Sequence, residues 1–171
     1  MVNRPRQRDG IGRRIATAIP ATGAGSIPCR WQYSSLAKVY GAMQLRPVQA
    51  MLERDDAEHP VPAEWHPIFC QIADAFAAGD FQLRDHPVDR VSMIAPATAS
   101  SIAASVSAYG DRLAPLHPST WSRSVYRWME GYWQLLVDLT TESEEVSDLT
   151  LHAKIHDADP PTLEIESVHV A

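Results

Sequence analysis

The hydrophobic period of this chain changes once, near Pro118, and that change restricts the folds open to it. Upstream, apolar residues recur every three or four positions. Trp65, Ile68, Phe69, Ile72, Ala73 and Phe76 trace one helical stripe, and Gly79 supplies a natural stop. Ile102, Val106 and Tyr109 repeat the pattern over residues 97–109, which end at Gly110. Downstream the pattern alternates, so residues 122–129, 132–140, 148–156 and 163–170 read as strands. Glu130-Gly131 suits the hairpin turn between the first two. Trp133, Leu135, Val137 and Leu139 share one strand face, as do Leu149, Leu151, Ala153 and Ile155. In the last run the apolar set switches from Leu163 and Ile165 to Val168 and Val170. That switch predicts a bulge near Glu166 or Ser167, or burial on both faces. Helices first and strands after define an α+β fold, with N-terminal helices packed on one face of a C-terminal four-stranded antiparallel meander.

Charge divides the chain differently. Residues 1–42 carry seven basic side chains against Asp9 alone, whereas residues 43–171 carry eight against twenty acidic ones. The first part lacks a sustained apolar period and reads as a disordered basic arm, or as an over-long start with initiation at Met43. Residues 43–171 read as one acidic domain, which repels nucleic acid and anionic membrane and attracts basic partners. Within the flanking region, residues 31–41 and 43–54 could each form a short helix. Residues 55–62 read as an acidic loop, and residues 83–94 as a linker with a short strand at 90–94. No apolar run reaches the length of a transmembrane helix. Arg13-Arg14 precedes an apolar run too short and too interrupted for an export signal. Two cysteines, Cys29 and Cys70, are too few for a disulfide framework, and the expected location is the cytoplasm.

The common hydrolase and nucleotide motifs are absent, so no catalytic residue, cofactor or metal is assigned. His66 and Cys70 stand four apart on the first helix and could present two ligands, but a tetrahedral site needs two more. His152 and His156 share the polar face of a strand, where two imidazoles could bind a small ligand or move a proton. A solvated sheet face is the plainer explanation of the pair. The most distinctive feature is the acidic connection between two strands, with Asp138, Glu142, Glu144, Glu145 and Asp148 within eleven residues. It reads either as a solvated loop or as a docking surface for a basic protein, and it lacks the spacing of a calcium loop. Tyr126, Trp128 and Tyr132 stand nearby and could supply an aromatic patch for binding, or pack in the core.

Further residues carry a resemblance. Trp65-x-x-Ile68, Ala75-Phe76-x-x-Gly79-Asp80-Phe81, Tyr109-Gly110, Thr120-Trp121 and Ser124 lead into an unbroken run from Trp133-Gln134-Leu135-Leu136-Val137-Asp138 to Ser147-Asp148-Leu149-Thr150-Leu151. Over residues 60–171 this is similar to a family of uncharacterised bacterial proteins, domain of unknown function 7668. The resemblance implies an α+β domain whose activity is unsettled. Where that family's pattern has Glu-Glu-Gly, this chain has Glu144-Glu145-Val146, which removes glycine's access to positive φ. The expectation is a non-enzymatic protein-binding module, of the immunity type that masks a basic toxin. The competing expectation is a small-ligand-binding protein or enzyme using His152 and His156.

Overall fold

A computed structural model describes residues 52–158 and 160–170. In chain order the elements are β1 (His59–Pro60), α1 (His66–Ala77), α2 (Pro96–Tyr109), β2 (Leu113–Ala114), a 3₁₀ turn (Pro118–Ser122), β3 (Val125–Met129), β4 (Tyr132–Asp138), β5 (Thr140–Thr141), β6 (Leu149–His156) and β7 (Leu163–Val170). The fold is α+β, with a five-stranded antiparallel sheet in the order β1-β3-β4-β6-β7 and a separate two-stranded ladder of β2 and β5.

The sheet has five strands rather than the four expected. β1 lies inside the segment read as an acidic loop and extends the sheet edge, placing His59 opposite Tyr126. Two residues with a proline carry no alternating pattern, so only their tertiary partner reveals them. The run expected at 132–140 also divides, because β4 ends at Asp138 and Thr140–Thr141 turn away to pair with β2. Strand structure expected at 90–94 reduces to a single parallel bridge between Val91 and Leu163. The helices expected at 31–41 and 43–54 lie outside the described residues except at 52–54, which are not helical. The basic arm at 1–42 lies wholly outside them.

α1 forms because its stripe buries Phe69, Ile72, Ala73 and Phe76. Its end is a Schellman motif: Asp80 N–H donates to Ala75 C=O and Gly79 N–H to Phe76 C=O, both at 2.9 Å. Gly79 takes φ +86°, which a residue with a Cβ adopts only under strain. α2 is short of large apolar residues and buries Ala99 and Ile102, lying against β7. One continuous core joins these helices to Trp133, Leu135 and Val137 of β4, Leu149, Leu151, Ala153 and Ile155 of β6, and Leu163, Ile165 and Val168 of β7. The apolar switch in β7 is a register shift: His152 pairs with Ser167 and Ala153 with Ile165, leaving Glu166 as the extra residue. The opposite sheet face is polar. There Arg127 donates twice to Gln134 Oε1, at 2.7 and 3.0 Å, and Lys154 pairs with Glu166.

Asp80, just past α1, organises the next turn by accepting backbone N–H groups from Arg84 (3.1 Å), Asp85 (2.8 Å) and His86 (2.9 Å). Burial of the carboxyl opposes its ionisation, but these donors and the His86 ring outweigh burial and hold the pKa at about 2. The depressed value stabilises the fold above the ordinary pKa of 3.8, and that contribution disappears as pH falls toward about 2. Urea midpoints of the wild type should therefore fall across this window. Asp80→Asn should lower the midpoint at neutral pH and flatten the slope; a slope as steep as wild type would assign the acid response to other carboxylates.

Candidate functional site

The acidic connection spans the end of β4 to the start of β6, and its backbone is tied down along its length. Leu139 N–H donates to Leu149 C=O at 2.7 Å, and Ser147 returns both its N–H and its hydroxyl to Leu139 C=O at 2.9 and 2.8 Å. Thr140 accepts from His117 N–H and donates to Glu145 C=O, each at 2.8 Å. Thr141 N–H donates to Glu144 C=O at 3.0 Å, while Glu144 N–H donates to the Thr141 hydroxyl at 3.2 Å. Thr140, Thr141 and Ser147 are buried, so these hydroxyls serve as internal struts. A second set of ties comes from the segment after α2. Glu142 N–H reaches Arg112 C=O at 2.9 Å, and Ser143 donates through N–H and hydroxyl to Asp111. The Ser143 and Thr141 hydroxyls and the Arg112 N–H hold the Asp111 carboxyl well below the usual carboxylate range.

The five acidic residues divide into two kinds. Asp138 is a core residue at 8% exposure, accepting the Thr150 hydroxyl at 2.8 Å and pairing with Arg123 at 3.0 Å. It belongs to β4, and each of its oxygens is engaged by a neighbour within the fold. Glu144 accepts the Tyr109 hydroxyl, a bond that raises the tyrosine pKa. Glu142, Glu145 and Asp148 keep side chains 56%, 71% and 70% exposed, with long contacts to Arg112 (3.4 Å), His117 (3.5 Å) and Arg123 (4.0 Å). Exposed pairs of this length neutralise little. Beside these carboxylates, residues 115–118 and 140–145 line an open cavity of about 300 Å³.

Val146 occupies the place of glycine in the expected pattern without strain. Among the described residues only Leu83 and Arg90 combine a side chain with positive φ, so the connector needs no glycine there.

The three aromatic residues do not form one surface patch. Tyr126 is buried at 3% exposure on the core face, where its hydroxyl accepts Glu53 N–H at 3.1 Å. Trp128 shares that face and meets Trp133 edge-on at 4.7 Å. Tyr132 points to the other face, where Lys154 Nζ stands 4.7 Å from its ring centre. Residues 128 and 132 face oppositely because Trp128 pairs with Trp133 and Tyr132 with Met129 across the hairpin.

His152 and His156 also have separate surroundings. His152 stacks on His169 at 4.1 Å, while His156 Nε2 meets Glu164 at 2.8 Å. Burial, then the neighbouring His169, lowers the His152 pKa; Glu166 opposes this and Arg127 adds to it. Neither ring lines the cavity beside the connector. His66 is half-buried with its ring parallel to Trp121 at 3.7 Å, and Cys70 is buried in α1.

The anchors of the connector are not legible in the sequence. Tyr109, Asp111, Arg112, His117 and Arg123 lie about 15 to 35 positions upstream of the groups they hold, and hydrophobic period says nothing about such pairs. Their only sequence signal is polarity flanking the expected end of α2.

The class defined here is a small α+β domain with a braced acidic connector. By sequence comparison the chain belongs to the family described as Domain of unknown function (DUF7668), which matches residues 73–171. The matched region contains the connector, its anchors and every strand except β1. No curated protein and no solved structure matches the chain.

Proposed function

We propose that this protein is a non-enzymatic protein-binding module whose connector docks a basic partner, in the manner of an immunity-type protein masking a toxin. The supporting observation is the combination of exposed Glu142, Glu145 and Asp148 carboxylates with a backbone already hydrogen-bonded into shape. A preformed loop loses little conformational entropy on binding, and clustered like charge accelerates encounter with an opposite surface. The acidic balance of residues 43–171 extends the same field over the domain and disfavours nucleic acid. On this reading the protein acts in the bacterial cytoplasm. No helix among the described residues is long and apolar enough to cross a membrane.

The test is a triple charge reversal, Glu142→Lys, Glu145→Lys and Asp148→Lys, leaving Asp138 and Glu144 intact. Stability should change by less than about 1 kcal/mol, because the three side chains are exposed. Recovery of a basic partner from the native host, and its association rate, should fall at least about tenfold. Capture by the reversed protein at wild-type level, with unchanged salt dependence, would remove the connector from the interface.

A further inference from the structure

The segment joining Leu52 to β1 carries a second constellation, apart from the connector and outside the region matched by the family. Glu53, Asp55 and His59 each bring one ligand-type atom within 4.8 Å of the other two, and they are the one such trio among the described residues. Acidic composition alone does not account for this, because the connector is richer in carboxylates and forms no such group. The trio also contains an imidazole, whose Nε2 stands 2.7 Å from Asp55 Oδ1 and 3.7 Å from Glu53 Oε2. For metal–ligand bonds of about 2.0–2.2 Å, neighbouring donors of a tetrahedron stand about 3.4 Å apart. The 3.7 Å edge lies close to that value, and the 2.7 Å contact is a hydrogen bond whose proton a bound ion would replace.

The rest of the fold holds these donors in place. Glu53 is gripped on both sides of its Cα, its N–H donating to the Tyr126 hydroxyl at 3.1 Å and its C=O accepting from Trp133 Nε1 at 2.9 Å. Both partners are core residues. His59 belongs to β1 and stacks on Tyr126 at 5.3 Å, which fixes its ring. The cation nearest in sequence is turned away: Arg54 pairs with Asp157 at 2.8 Å and lies 5.0 Å from the ring centres of Trp128 and Trp133. Among the described residues, two carboxylates therefore converge on one imidazole with no guanidinium or ammonium among their ion-pair partners.

We propose that Glu53, Asp55 and His59 form a binding site for a divalent transition-metal ion, zinc being the species that best suits one imidazole and two carboxylates. Three protein ligands leave a fourth position to water, so the site is exchangeable and coordinatively open rather than a closed structural clamp. Bound metal would join the segment at 53–55 to the sheet edge and reinforce the grip of Tyr126 and Trp133.

Zinc chloride titrated calorimetrically into the full chain, stripped of metal with chelator, should give a saturable one-to-one isotherm and raise the thermal midpoint. His59→Ala and Asp55→Asn should each weaken binding at least about tenfold and abolish the midpoint shift. Asp55→Asn preserves side-chain shape and keeps the test decisive should His59→Ala unfold. Glu58→Gln, an exposed neighbour outside the trio, should bind like wild type. An isotherm that does not saturate, or one equally strong in Asp55→Asn, overturns the site. Equal weakening by Glu58→Gln would do the same, by reducing the effect to general negative charge.

Discussion

Trp133→Ala should destabilise the domain by about 4 kcal/mol, the largest effect expected from any single truncation in the sheet. Trp133 is fully buried near the hairpin end of β4, the strand between β3 and β6, opposite Trp128 and Ile155. Its loss leaves a cavity that flanking strands cannot close, because both are held in register by their own ladders. It also strands the Glu53 carbonyl, which accepts the indole N–H at 2.9 Å. Trp133→Phe separates the two contributions. Keeping most of the ring while deleting the N–H should cost about 1–2 kcal/mol, from the lost bond and the smaller ring. Urea denaturation at neutral pH measures both; a loss below about 2 kcal/mol for the alanine variant would mean that the core rearranges around the gap.

Asp138→Ala should cost about 2–3 kcal/mol, although Asp138 lies beside exposed acidic residues whose removal should be nearly neutral. The difference is one of burial and partners. Truncation leaves the Thr150 hydroxyl buried without its acceptor and takes the carboxylate from Arg123. The guanidinium is more than half exposed, so water recovers part of its loss, and the expected cost stays below that of breaking a fully buried pair. Asp138→Asn keeps an acceptor for Thr150 and should recover part of the difference. Equal stability of Asp138→Ala and Asp148→Ala in the same urea series would refute the division of the acidic residues.

That division bears on how the interface is tested. Reversing all five acidic residues would damage the fold and the surface together, and lost binding would then be ambiguous. Confining the reversal to Glu142, Glu145 and Asp148 leaves the Asp138–Thr150 and Tyr109–Glu144 bonds in place. The zinc site stands on β1 and the segment before it, so its failure and failure of the connector are separately visible.

What the chain's own pattern settled was the order of its larger elements: α1 and α2, then β3, β4, β6 and β7, with Gly79, Gly110 and Gly131 at the turns and an extra residue in β7. Those are consequences of local sterics and of side-chain period, which act between near neighbours and are therefore written in the sequence. Tertiary structure alone decided which polar groups are spent and which are free. Asp138 and Asp148 look alike in sequence, yet one is enclosed by Thr150 and Arg123 while the other reaches water. β1 exists only because β3 offers it an edge, and Glu53 meets Trp133 across 80 positions of chain. Hydrogen bonds and burial of this kind depend on where distant segments come to rest, and no local period encodes that.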